Sequence, residues 1–163
     1  VGLVVAMLLW RSGPLGQWGL IYTPAAMVIA QVIIALPMVA GVSMAGIQQV
    51  DPMIPLQARA LGASGWQTLW TLVKEARLSM LAAVMAAFGS VISEVGAVLM
   101  VGGNLKGQTR VLTTAILQET RMGRFETALT LAYVLLMFTF TINFFLTRLQ
   151  QKGVRAAPLR WRR

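Results

Sequence analysis

Cysteine and histidine are both absent from these 163 residues, and only 5 are acidic. Without cysteine there are no disulfides and no thiolate zinc clusters; without histidine there is no Ser-His-Asp triad and no histidine-ligated haem. The side chains of covalent and acid–base catalysis are thus poorly supplied, so no catalytic residue and no metal site is expected. Charge of either sign is scarce, at 12% of residues, while 57% are hydrophobic and the mean hydropathy is +0.71. That composition excludes a disordered chain and argues against a water-soluble globule.

The little charge present is basic, with 14 Lys+Arg against 5 Asp+Glu and a net charge of +9. In a polar protein this balance would point to nucleic acid. Here the cations sit between apolar blocks and read as membrane-topology charges, so the expected partner is a lipid bilayer. Residues 12–50 carry no charge, and an apolar stretch from about 20 to 46 is ample for a tilted span, with Pro37 in its interior predicting a kink. A second span is expected over 78–102, carrying Glu94, and a third over 127–147, about 32 Å of helix at the standard rise. The opening run, 1–10, is too short to cross the hydrocarbon and is expected to be the remainder of a helix begun upstream. The fold class that follows is an all-α membrane protein, apparently truncated at its N-terminus.

Cations favour the cytoplasmic side. The segment from Ile47 to Arg77 and the tail after Thr147 lie on one side, separated by two spans, and together hold nine basic residues; the intervening loop holds four, Lys106, Arg110, Arg121 and Arg124. The expected topology is multi-pass with the C-terminus cytoplasmic, ending in a basic tail, 151–163. Trp10 and Trp18 then flank an external turn, where interfacial aromatics belong.

The segment from Val50 to Ser79 carries the most local information. Asp51-Pro52 reads as a helix start, a short helix is predicted over 54–61, and Gly62 ends it, since glycine readily takes the left-handed cap conformation. A second helix begins near Ser64 and places Trp66, Leu69, Trp70 and Val73 on one face. Periodicity alone leaves two uses open: an amphipathic helix in the headgroups anchored by the tryptophans, or a docking surface for a soluble partner.

QARALGASGWQTLW resembles the cytoplasmic loop of permease subunits of binding-protein-dependent ABC importers, whose pattern is Glu-Ala-Ala, three residues, Gly, nine residues, Ile, one residue, Leu-Pro. Aligned on Gly62, Ala58, Gly62 and Leu72 fit, whereas Leu56, Gln57 and the pair Lys74-Glu75 depart from it. The stretch from Lys74 to Thr120 and the opening RSGPLGQWG at Arg11 to Gly19 resemble the tungstate-type branch of that family, and the likeness extends to about Gln150. The resemblance implies a type I ABC importer transmembrane-domain helical bundle over 1–150, in a prokaryotic cytoplasmic (inner) membrane. It implies a coupling loop, about 51–76, that seats on an ATP-binding cassette subunit through Ala58, Leu61, Gly62, Ala63 and Trp66. The chain has no G-x-x-x-x-G-K-[ST] loop, so ATP would be used by that partner and no cofactor is held here. A second permease copy and an extracytoplasmic oxyanion-binding protein complete the implied assembly. The implied cargo is tungstate, with a molybdate or sulfate permease as the alternative within the class, and a membrane-embedded enzyme or a structural subunit as alternatives outside it.

Within the spans Glu94 is the one ionisable group, a candidate for a gate or pathway by its cost in lipid, or for a structural hydrogen bond with Ser90, Ser93 or Arg110. The loop GGNLKGQTR, Gly102 to Arg110, combines glycines, Asn104, Thr109, Lys106 and Arg110. It suits an oxyanion if its backbone N–H groups are free, and otherwise reads as an external turn that docks the binding protein or ends a helix. Glu94, Asn104, Thr109 and Arg110 are therefore the candidate pathway or gate residues. A short helix is expected over 111–117, and Asn143 reads as a helix-packing residue.

Overall fold

The computed structural model describes residues 1–155, within which all regular structure is helical. The helices are α1 (Gly2–Leu9), α2 (Pro24–Gln48), α3 (Met53–Ala60), α4 (Gly65–Glu75), α5 (Arg77–Ser93), α6 (Gly96–Gly102), α7 (Leu112–Arg121) and α8 (Phe125–Arg155), with one 3-10 turn at Gly16–Trp18. α2 and α8, over Pro24–Gln48 and Phe125–Gln151, are long and apolar enough to cross a membrane. α2 stays helical through Pro37. Both helices leave apolar side chains exposed at helical spacing: Val28, Val32 and Leu36 on α2, and Leu129, Tyr133 and Phe140 on α8. Such surface is costly in water and compatible with lipid or with neighbouring helices.

The expected span over 78–102 is not one continuous helix. It divides into α5 and α6, with Glu94 and Val95 between them. The break is stabilised locally, because Glu94 Oε1 accepts the Ala97 N–H at 2.8 Å and so satisfies one of the donors freed at the start of α6. At its other end α5 follows α4 after Ala76 alone, with a bend of 63° between the two axes. α8 runs past the predicted 127–147, since Arg148 to Lys152 are good helix formers. The basic tail is therefore helical as far as Arg155, and residues 156–163, with Arg160, Trp161, Arg162 and Arg163, lie outside the described residues.

The chain divides into two compact units. The first comprises residues 1–36 and 88–142, with a core of Val5 and Leu9 from α1, Ala26, Met27 and Ala30 from α2, and Val98 and Val101 from α6. α1 and α6 approach so closely that a Cβ on Gly2 would lie 2.5 Å from Ala97 Cα. In lipid, where apolar burial gives little drive, such close contact between small residues is what holds helices together. The backbone N–H of Tyr22 donates to Val101 O at 2.8 Å, and the Trp10 ring meets the Tyr22 ring edge-on at 6.4 Å.

The second unit comprises, among the described residues, 37–87 and 143–155. Here a Cβ on Gly46 would lie 2.3 Å from Ser79 Cβ, so α2 and α5 pack at near-backbone distance. α3 and α4 pack on each other as a hairpin, and Thr68 and Ala76 are buried.

Candidate functional site

The α3–α4 hairpin is built almost wholly from local hydrogen bonds. Asp51 Oδ1 accepts the Met53 N–H at 2.8 Å, which starts α3 one residue earlier than the sequence predicts. At the other end the Ala63 N–H donates to Ala58 O and the Gly62 N–H to Arg59 O, both at 3.0 Å, with Gly62 at φ +86°. This six-to-one, five-to-two pair is the Schellman motif, and it requires the left-handed residue that glycine supplies. The next helix starts at once: Gln67 N–H donates to Ser64 Oγ at 3.4 Å, and Ser64 N–H donates to Gln67 Oε1 at 2.8 Å. A capping box of this kind contributes about 1 kcal/mol.

The hairpin therefore holds its tip rigidly while turning apolar side chains outward. Leu61 is 89% exposed and Trp66 75%. Trp66, Gln67, Trp70 and Thr71 line a recess of about 560 Å³, and Lys74 Nζ lies 5.8 Å from the Trp70 ring centre. Ala58, Leu61, Gly62, Ala63 and Trp66, singled out from the sequence, thus share one turn and its flanks.

The loop between α6 and α7 is organised differently. Gly103 ends α6 at φ +68°, its N–H donating to Leu99 O at 2.9 Å. Thr109 is buried; its hydroxyl donates to Gly102 O and accepts the Leu105 N–H at 2.9 Å. The N–H groups of Gln108, Thr109 and Arg110 all turn inward onto Leu105 O, at 3.0–3.1 Å. At these positions the loop uses its backbone donors to hold itself and does not leave them free for an anion. Asn104 Nδ2 donates to Gln118 Oε1 at 2.6 Å, tying the loop to α7.

Arg110 is the exception among these inward-facing groups. It lines a cavity of about 580 Å³ together with Gln31 and Thr113, against an apolar wall that includes Val91, Leu135 and Phe138. It also lines a second cleft of about 310 Å³, with Asn104, Gln118 and Arg121. Neither lining includes a carboxylate. The Arg110 Nε is buried and has no hydrogen-bond partner. The ion pair found among the described residues joins Arg124 to Glu119 at 3.5 Å, so the expected Glu94–Arg110 pairing is not formed. Ser93 donates to Ser90 O rather than to Glu94.

A family model described as binding-protein-dependent transport system inner membrane component matches residues 2–155. The chain belongs to this family. Its helical permease fold, that of type I ABC importers, agrees with the all-helical architecture described above. Among curated relatives, the chain is 43% identical over 148 residues to a probable anion ABC transporter permease protein of Haloferax volcanii, covering 88% of this chain and 64% of that one. It is 41% identical to the tungstate uptake system permease protein TupB of Peptoclostridium acidaminophilum, covering 93% and 67%. To the protein of the same name from Campylobacter jejuni it is 35% identical, covering 93% and 63%. The chain thus spans about two thirds of the length of the relatives it matches. No solved structure matches it.

Within this permease family member, the sequence-predicted residues fall into three places. Ala58 to Trp66 form the hairpin tip, Asn104, Thr109 and Arg110 sit in the second loop, and Glu94 stands apart as a helix cap lining neither cavity. Thr109 is a brace rather than a lining residue. Gln31, Gln118 and Arg121 were not singled out, although Gln31 interrupts an otherwise apolar run and so carries a signal.

Proposed function

We propose that the chain is the membrane-spanning permease of an ATP-driven importer, forming the pathway for tungstate or a closely related tetrahedral oxyanion. The observation that carries this is the hairpin: a rigid, glycine-closed tip that exposes Leu61 and Trp66, in a chain whose relatives include tungstate uptake permeases. A tip with this build can transmit force, because its position follows the helices on either side rather than a soft loop. In this reading an ATP-binding cassette subunit seats on Ala58, Leu61, Gly62, Ala63 and Trp66 and hydrolyses the ATP, and the permease carries no cofactor of its own. Two copies form the pathway, an extracytoplasmic binding protein delivers the oxyanion, and rocking of the helical bundles alternates access. The membrane is a prokaryotic cytoplasmic membrane, with the hairpin and the C-terminal tail on the cytoplasmic side, as the distribution of cations supports.

Pathway residues in this reading centre on Arg110, with Asn104 and Thr109 holding its loop in place and Glu94 keeping the α5–α6 break. The test is reconstitution of the full-length chain with its ATPase subunit in vesicles, recording hydrolysis and uptake with binding protein loaded with tungstate, molybdate or sulfate. Strongest stimulation by the tungstate-loaded protein is expected; an ATPase that never associates, or that no oxyanion stimulates, overturns the assignment.

A further inference from the structure

We propose that Arg110 is an oxyanion-binding residue inside this chain, serving the cavity it shares with Gln31 and Thr113 and the cleft it shares with Arg121. The inference rests on the oxyanion-permease reading above and gives it a specific contact. Arg110 is the one residue common to the linings of the two cavities. Its main chain is pinned by the bond from its N–H to Leu105 O at 3.1 Å, which sets where the side chain begins. Its Nε is buried and without a partner. The fold thus leaves this donor without an acceptor of its own, at a cost. No carboxylate lines either cavity to compete for the guanidinium, and the nearest acidic side chain in sequence, Glu119, pairs with Arg124 instead.

The chemistry selects a class of ligand. A guanidinium presents paired donors that match two oxygens of a tetrahedral oxyanion, and the Gln31 amide and Thr113 hydroxyl add neutral donors in the same cavity. The cavity, at about 580 Å³, is much larger than one such ion, so the anion keeps part of its hydration and is not held by a closed cage. One cation facing a dianion in a wet cavity makes a weak stop, as a conduction pathway needs.

The test uses the full-length permease assembled with its ATPase subunit in vesicles. Ala115→Cys, introduced into a full-length permease in which any cysteine outside these 163 cysteine-free residues has been replaced, gives a defined label site in the larger cavity. Its reaction is compared between anionic and cationic methanethiosulfonate reagents, with and without sodium tungstate. After correction for intrinsic reactivity, the anionic reagent should react about tenfold faster. Tungstate should slow that reaction, and Arg110→Met should abolish both effects. Equal rates for the two reagents, no protection by tungstate, or an unchanged preference in Arg110→Met would each overturn the proposal. Should Arg110→Met fail to assemble, Arg110→Lys decides: it should keep the charge preference and lose most of the protection, because an ammonium cannot pair with two oxygens at once. Undiminished protection in Arg110→Lys counts against the proposal. Failure of the underlying reading shows separately, as an unaltered permease whose ATPase does not respond to any oxyanion-loaded binding protein.

Discussion

The α3–α4 hairpin and the α6–α7 loop turn on the same backbone device, a glycine at positive φ, but set it in opposite surroundings. A Cβ on Gly62 would meet no atom within 4 Å, whereas one on Gly103 would lie 2.6 Å from Tyr22 Cδ1. At Gly102 the same addition would come 2.9 Å from Met27 Sδ. Glycine is needed in the hairpin for conformation alone, and in the loop for conformation and space together. The hairpin therefore keeps its tip clear of its own chain, as a surface for another subunit requires. The loop is held against α2 and its preceding turn, as the fixed wall of a cavity requires.

The largest effect should come from breaking the packed side of this comparison. Gly103→Ala combines left-handed backbone strain with a steric clash, and should cost about 3 kcal/mol or more in the unfolding of the full-length chain in detergent. Adding Tyr22→Ala should recover the steric share and leave the backbone share; no recovery at all would show that space is not the constraint. Next in size, Thr109→Val removes a buried hydroxyl bonded to Gly102 O and to the Leu105 N–H, and should cost about 2 kcal/mol, with Thr109→Ser retaining most of it, read from the same denaturation curves. On the open side Gly62→Ala should cost only about 1–2 kcal/mol, with Gly62→Asn below it, because strain acts there without a clash. A steeper loss at Gly62 than at Gly103 would reverse the comparison. Smallest is Ser64→Ala, about 1 kcal/mol from the lost cap, visible as a lowered melting temperature.

The same contrast explains what could be read from the sequence. Asp51, Gly62, Ser64 and the tryptophan spacing act over three to five residues, so the hairpin is legible from local chemistry, apart from a one-residue shift where the Asp51 carboxylate reaches Met53. The two long apolar helices are legible for the same reason, as composition and length decide them. The loop is not, because Tyr22 and Met27 reach Gly103 and Gly102 from about eighty residues away, and no local pattern announces that contact. Glu94 misled as an intramembrane charge within a continuous span, since its carboxylate takes up the Ala97 N–H and marks where the helix stops. Composition does not tell which backbone donors of the glycine-rich loop stay free, because those of Gln108, Thr109 and Arg110 depend on where Leu105 O points, which folding alone decides.

In the proposed importer the Gly62 turn links ATP hydrolysis to movement of the permease. This link is tested most directly by the number of ATP molecules hydrolysed per tungstate ion imported, in reconstituted full-length transporter carrying Gly62 or Gly62→Val. A β-branched residue at φ +86° strains the turn at a position where its Cβ meets no neighbour, so hydrolysis is predicted to persist while uptake falls by about tenfold, raising that ratio. An assembled Gly62→Val transporter with an unchanged ratio and normal uptake would contradict it.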